Sequence, residues 1–141
     1  MEAKTFNFEL VSPEEKLISA PAHMVVIPGE EGDFGVLQGH AATISSIRPG
    51  VIEIFASAND NEPQRIFIAG GFADVTETSC TVLAEEAINV KDLNKSDLEQ
   101  TIRNLNEDLS MAKDDSDLQH TERKLELAKA KLTAVTGQLV L

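Results

Sequence analysis

Between Gly32 and Gly50 the chain reads GDFGVLQGHAATISSIRPG. Four glycines, one proline and one histidine fall within it, with very little charge, in a protein whose formal net charge is −12. Such a stretch fits either a catalytic loop or a set of tight turns joining short strands, because glycine relaxes the backbone in both. A catalytic loop needs a nucleophile, a base and an orienting group within reach of one another. The sequence supplies His40 with no such companions. Cys80 lies in a strand pattern, and His23 and His120 are isolated, so no metal-ligand spacing arises. There is no G-x-x-x-x-G-K-[ST] loop and no strand-linked G-x-G-x-x-G. The run Glu30-Glu31-Gly32-Asp33 lacks the D-x-D-x-D-G spacing of a calcium loop. The stretch therefore reads as a connector, with Gly29, Gly32, Gly35 and Gly39 relaxing turns between strands. Its surface matters rather than its reactivity.

Short strands are predicted on either side. Phe6, Phe8 and Leu10 alternate with Asn7 and Glu9, the period of a half-buried strand. Met24 to Ile27 is an apolar run stopped by Pro28-Gly29. Val51 to Phe55, Arg65 to Ala69, Phe72 to Glu77 and Cys80 to Ala84 follow, punctuated by Asn59-Asp60-Asn61 and Gly70-Gly71. This spacing, with no helical period between the runs, predicts an antiparallel sandwich or barrel.

Near residue 88 the sequence changes character. Beyond it there is one glycine, Gly137, and no proline, and the net charge falls from −10 over residues 1–88 to −2 over residues 89–141. Leu98, Ile102, Leu105 and Leu109 mark one helix face, and Ser96 with Glu99 has the form of a capping box ahead of it. The run Lys113–Asp117 breaks the pattern. Ser116 with Gln119 suggests a second box, and Leu118, Leu125 and Leu132 are seven apart. Two stripes joined by a short turn predict an antiparallel two-helix hairpin. The expected division is a β-sandwich over residues 1–88 and an αα-hairpin over 89–141. A lone hairpin has little core and needs a partner.

The acidic balance argues against nucleic acid, which demands a basic face, and against anionic lipid. No apolar run approaches the ~18 residues of a membrane span. The start MEAKTFNFEL has neither an h-region nor an Arg-rich amphipathic pattern. One cysteine cannot form an internal disulfide, which fits a reducing compartment. The expectation is a soluble intracellular protein that inserts no segment into lipid.

Five pieces in order carry a family resemblance: F-x-L-V-S-P-E, then I-P-G-E-E-G-D-F-G-V-L-Q-G-H-A, I-R-P-G, I-x-G-G-F-x-x-V and V-L-A-E-x-A. Together they resemble the epsilon subunit of bacterial F-type ATP synthases, whose mitochondrial counterpart is called delta. Ala42 stands where many members have proline. The resemblance implies a non-catalytic central-stalk subunit of a proton-translocating rotary motor, with no cofactor, peripheral on the cytoplasmic face of the bacterial inner membrane. It implies that the sandwich couples the gamma subunit to the membrane c-ring. By position, Glu30, Glu31, Gly32, Asp33 and Phe34 would face the c-ring, and Ser12, His40 and Ser45 would lie near gamma. Read without the resemblance, the acidic turn is a solvated loop and His40 a turn histidine bonded to nearby backbone.

The hairpin of this family is a regulatory element that folds down on the sandwich or extends along gamma, where it meets the alpha and beta subunits. In some members the folded form binds ATP through [I/L]-D-x-x-R-A. Here the segment has Leu93, then Asn94 for the aspartate, Asp97 for the arginine and Leu98 for the alanine. An acid where the motif has a cation repels a nucleotide, so ATP binding is not expected. The extended state relies on basic residues of the second helix. Arg123, Lys124, Lys129 and Lys131 are present, but Glu122 and Glu126 are interleaved and the last residues are the apolar Leu139-Val140-Leu141. An ordinary solvated helix face is favoured over a strong inhibitor. The competing function is a small nucleotide-responsive binding module whose hairpin closes on ATP. An enzyme has no constellation of residues behind it.

Overall fold

The computed structural model describes residues 4–137. The first unit is a β-sandwich of two five-stranded sheets. One sheet has the order β2 (Lys16–Ala22), β1 (Phe6–Val11), β9 (Ser79–Ala84), β8 (Gly71–Val75) and β5 (Thr43–Ser46). The other has the order β10 (Ala87–Asn89), β7 (Gln64–Ile68), β6 (Gly50–Phe55), β3 (Met24–Gly29) and β4 (Gly32–Leu37). Pairing is antiparallel except between β1 and β9, which run parallel with Phe8 opposite Cys80. An antiparallel hairpin joins sequence neighbours, whereas β1 and β9 lie far apart in the sequence and a long connection permits either sense.

The alternation read in the sequence is the alternation that buries the core. Phe6, Phe8 and Leu10 of β1 face inward, as do Val25 and Ile27 of β3, Ile52 and Ile54 of β6, Ile66 and Ile68 of β7, Ala73 and Val75 of β8, and Cys80, Val82 and Ala84 of β9. Full burial of a Phe, Leu, Ile or Val side group stabilises by about 1.5–3 kcal/mol relative to exposure, so these residues outweigh local propensity.

The Gly32–Gly50 stretch is more than the expected connector, since it contains β4 and β5. Of the four glycines assigned to turns, Gly32 and Gly39 take positive φ, while Gly29 and Gly35 sit within strands. Strand β4 fully buries only Val36, and β5 buries no residue. Both form sheet edges, as do β2 and β10, which the periodicity also passed over. Pro21 is compatible with β2 because an edge strand spares its missing N–H.

The structure changes between Asn89 and Val90, because β10 runs through Asn89. A 3-10 turn, Val90–Asp92, precedes α1 (Lys95–Ser110) and α2 (Asp115–Thr136), which pack on each other. The caps differ from the expected serines. Asn94 Oδ1 accepts from the Asp97 amide at 3.0 Å, and Asp114 Oδ1 accepts from the Asp117 amide at 2.8 Å. Asn and Asp rank among the strongest N-caps and lie two residues ahead of Ser96 and Ser116, so each helix begins earlier. Asp115 and Asp117 then complement the α2 dipole from its first turn rather than break it. The stripe Leu98, Ile102, Leu105 and Leu109 is half-buried throughout. In α2, Leu125 and Leu132 are buried and Leu118 is exposed. The apolar end at Leu139–Leu141 lies outside the described residues. Among the described residues no helix is long and apolar enough to cross a membrane.

Two stability predictions arise from the sandwich. At Gly71, with φ +130°, an added Cβ would run into the Leu83 carbonyl oxygen. Gly71→Ala should therefore cost about 3 kcal/mol or more, read as a lowered urea midpoint. Unchanged unfolding would contradict the β8–β9 register.

Burial of Cys80, with the Asp74 charge adding, raises its thiol from the ordinary 9.0 to about 12. The folded protein then keeps the proton that the unfolded one releases, so this contribution is complete below pH 9 and is lost as pH rises towards 12. Native protein at pH 8 should resist iodoacetamide and react only on unfolding. Rapid native alkylation would place the thiol elsewhere.

Candidate functional site

Strands β3 and β4 form a hairpin in which Gly29 lies opposite Gly32, leaving Glu30-Glu31 as the connection. Both glutamates are exposed. The Glu30 amide donates to the Ser46 carbonyl at 3.1 Å, and an isolated bridge joins Gly29 to Ile47. The tip of the hairpin is thereby tied to the end of β5 and the residue after it. Asp33 and Phe34 belong to β4 rather than to the turn. The Asp33 carboxylate accepts from the Arg48 guanidinium, so the three acids do not form one set of free charges. Phe34 packs partly against the core.

His40 lies in the loop between β4 and β5. Its amide donates to the Leu37 carbonyl at 3.1 Å, and its Nδ1 to the Ala41 carbonyl at 2.7 Å. Its ring centroid is 6.4 Å from that of Phe34. Ser45 is on β5, with Oγ donating to the Ser46 carbonyl at 3.1 Å. An open groove of about 740 Å³ is lined by the acidic hairpin, His40 and β5 through Ser46. The tertiary structure thus brings Glu30–Phe34 together with His40 and Ser45.

Ser12 is not part of this group. It sits in the turn between β1 and β2, where its hydroxyl donates to the Glu15 carbonyl at 3.2 Å and accepts from the Glu15 amide at 3.3 Å. It borders a separate hollow of about 190 Å³ lined by Phe72 and Leu83.

Sequence reasoning missed the surface around that hollow. Phe72 is 54% exposed and Leu83 48%, and Ile44, which lines the groove beside the acidic hairpin, is 75% exposed. Phe72 pairs with Leu83 across β8 and β9, and Val11 lies opposite Leu83 on β1. These residues share the outer face of the β5-bearing sheet with Asp74, Thr81 and Ser46, so exposed apolar side chains are interspersed with polar ones. Contiguous solvent-facing apolar side chains are candidates for contact, and Val11, Leu83 and Phe72 lie side by side across three strands. A signal existed: Phe72 and Leu83 stand on the opposite phase to buried Ala73, Val75, Val82 and Ala84.

On the hairpin unit, Asn94 and Asp97 are joined by the α1 cap, and the Leu93 amide donates to the Val90 carbonyl at 3.1 Å. Leu93 and Leu98 are half-buried. Arg123 and Lys124 are exposed, whereas Lys129 and Lys131 are half-buried. At 100° per residue Lys124 and Lys131 share one side of α2 and Lys129 lies on the other, so the four do not form a single basic face.

Residues 5–90 match the family model described as ATP synthase, Delta/Epsilon chain, beta-sandwich domain, and residues 94–140 match that of the C-terminal domain of the ATP synthase epsilon chain. The sequence is 48% identical over 139 residues to the ATP synthase epsilon chain of Rhodospirillum centenum, a match spanning 96% of this chain and 95% of that one. Among solved structures it resembles a chain of the Euglena gracilis mitochondrial ATP synthase, OSCP/F1/c-ring, with TM-score 0.79 and 24% identity, over 92% of this chain and 80% of that one. It also resembles a chain of the Tetrahymena thermophila mitochondrial ATP synthase central stalk/c-ring, with TM-score 0.64 and 12% identity, over 96% and 100%. At those identities the structural likeness speaks to the fold.

Proposed function

The chain belongs to the ATP synthase delta/epsilon family, and from that premise we propose that it is a non-catalytic central-stalk subunit coupling the membrane c-ring to gamma. The observation that carries this reading is the presence of two chemically different surfaces on one sandwich. The outer apolar strip of Val11, Leu83 and Phe72 suits a broad contact with gamma. The exposed Glu30-Glu31 connection suits the polar loops of the c-ring, where charge complementarity sets registry.

Torque transmission requires that a load at one surface reach the other without loss. Two hydrogen-bonded sheets packed through a common core resist shear because the interior is close-packed and the ladders cross-link the strands. No group in the groove needs to react. His40 bonds the neighbouring backbone, and its role is to shape the loop beside the hairpin. Ser12, His40 and Ser45 would flank the gamma contact. The subunit would work peripherally on the cytoplasmic face of the bacterial inner membrane.

The hairpin would modulate ATP hydrolysis without binding ATP. Asn94 already caps α1, and Asp97 sits in the first turn at the positive end of the helix dipole. The divided arrangement of Arg123, Lys124, Lys129 and Lys131 supports weak rather than strong inhibition through alpha and beta.

Phe72→Glu should leave unfolding within about 0.5 kcal/mol, since the side chain is 54% exposed. It should weaken binding to gamma roughly tenfold or more, because it places a charge in the apolar contact. Unchanged affinity for gamma in a surface-binding assay would move the interface off this strip. Calorimetric titration of the whole protein with ATP should show no saturable heat at millimolar nucleotide. Submillimolar binding would instead favour a nucleotide-responsive module.

A further inference from the structure

We infer that Arg48 is a positioning residue for the acidic hairpin, and that Asp33 belongs to its brace rather than to the c-ring contact, leaving Glu30 and Glu31 as the docking charges. This rests on the proposed seating of the hairpin on the c-ring.

The hairpin has an asymmetric support. Its β3 arm is held on the far side by β6 and by the Gly29–Ile47 bridge, whose bonds run from the Glu30 amide to Ser46 and from the Arg48 amide to Pro28. Its β4 arm is the edge of the sheet and has a ladder on one side only. One step from the tip Pro28 faces Asp33 as a non-hydrogen-bonded pair, with the Pro28 carbonyl turned away from β4 towards Arg48. Arg48 spans that pair. Its backbone amide donates to the Pro28 carbonyl at 3.0 Å, and its guanidinium holds the Asp33 carboxylate. One residue outside the hairpin thus grips both members of a pair that exchanges no ladder bond of its own.

The segment carrying Arg48 is built for this approach. At Gly50 an added Cβ would come within 3.0 Å of the Pro28 side chain and 3.2 Å of the Arg48 guanidinium. A side chain there would push the guanidinium away from its place beside Pro28. Asp33, paired with the protein's own arginine, presents little net charge to a partner. Glu30 and Glu31 have no ion pair among the described residues.

The Arg48–Asp33 pair is partly solvated, with side chains 45% and 60% exposed, so its effect on docking is modest. An exposed pair shifts an equilibrium by up to about fivefold at low salt, and less as salt rises. The test measures affinity of a gamma complex with the full-length protein for purified c-ring in nanodiscs, with gamma affinity and thermal midpoint recorded for each variant. Arg48→Ala should weaken ring binding roughly threefold with gamma binding unchanged. Arg48→Asp should weaken it further, because two carboxylates then face each other, and Arg48→Lys should retain most of the affinity.

The deciding variant is the exchange D33R/R48D. It rebuilds the brace with reversed polarity and should restore ring binding towards the original value. Failure of the exchange, while E30Q/E31Q still weakens the ring complex, would overturn the brace and return Asp33 to the contact. If E30Q/E31Q leaves ring affinity unchanged, the docking reading itself fails, and the inference falls with it.

Discussion

Burial of inward-facing side chains between two five-stranded sheets is the interaction on which the first unit depends. Phe8, Leu10, Ile27, Ile52, Ile68, Val75 and Val82 are fully excluded from water. Because strand side chains alternate, committing one phase to the core leaves the other phase outside. The outer apolar strip is therefore a direct consequence of the same register. Shift β8 or β9 by one residue and Phe72 and Leu83 enter the core while Ala73 and Val82 leave it. Gly71 guards that register, since its backbone lies too close to Leu83 for any Cβ.

The frame also explains why the acidic hairpin is a feature of shape as much as of charge. A two-residue connection at a sheet edge has few contacts of its own. Its tip is held by bonds to the segment Ser46–Arg48, which belongs to the crossing between the two sheets. Charges on a mobile loop lose conformational freedom on docking, whereas a braced hairpin has already incurred that entropy cost on folding. The family to which the protein belongs includes epsilon chains.

The helical unit follows a different logic. No α1 residue is fully buried, and α2 buries Leu125, Ala128, Leu132 and Ala134. Capping by Asn94 and Asp114 and first-turn acids supply much of its local definition. The Asn94 side-chain oxygen is occupied by the Asp97 amide at the start of α1.

The sequence by itself determined the six interior strands, both helices and the family. Phe6–Leu10, Met24–Ile27 and the four later runs carry their period openly, because an interior strand must match the core along its length. The four edge strands, β2, β4, β5 and β10, were decided only by the tertiary structure. Each buries little, so it carries little apolar period, and its conformation comes from backbone bonds to a neighbour. The grouping of Glu30 and Glu31 with His40 and Ser45, and the pairing of Asp33 with Arg48, belong to the same category. Those residues meet because two edges converge where β3 ends and β5 hands over to β6. Alternation reports which face a residue takes; it carries no record of which strand lies beside it.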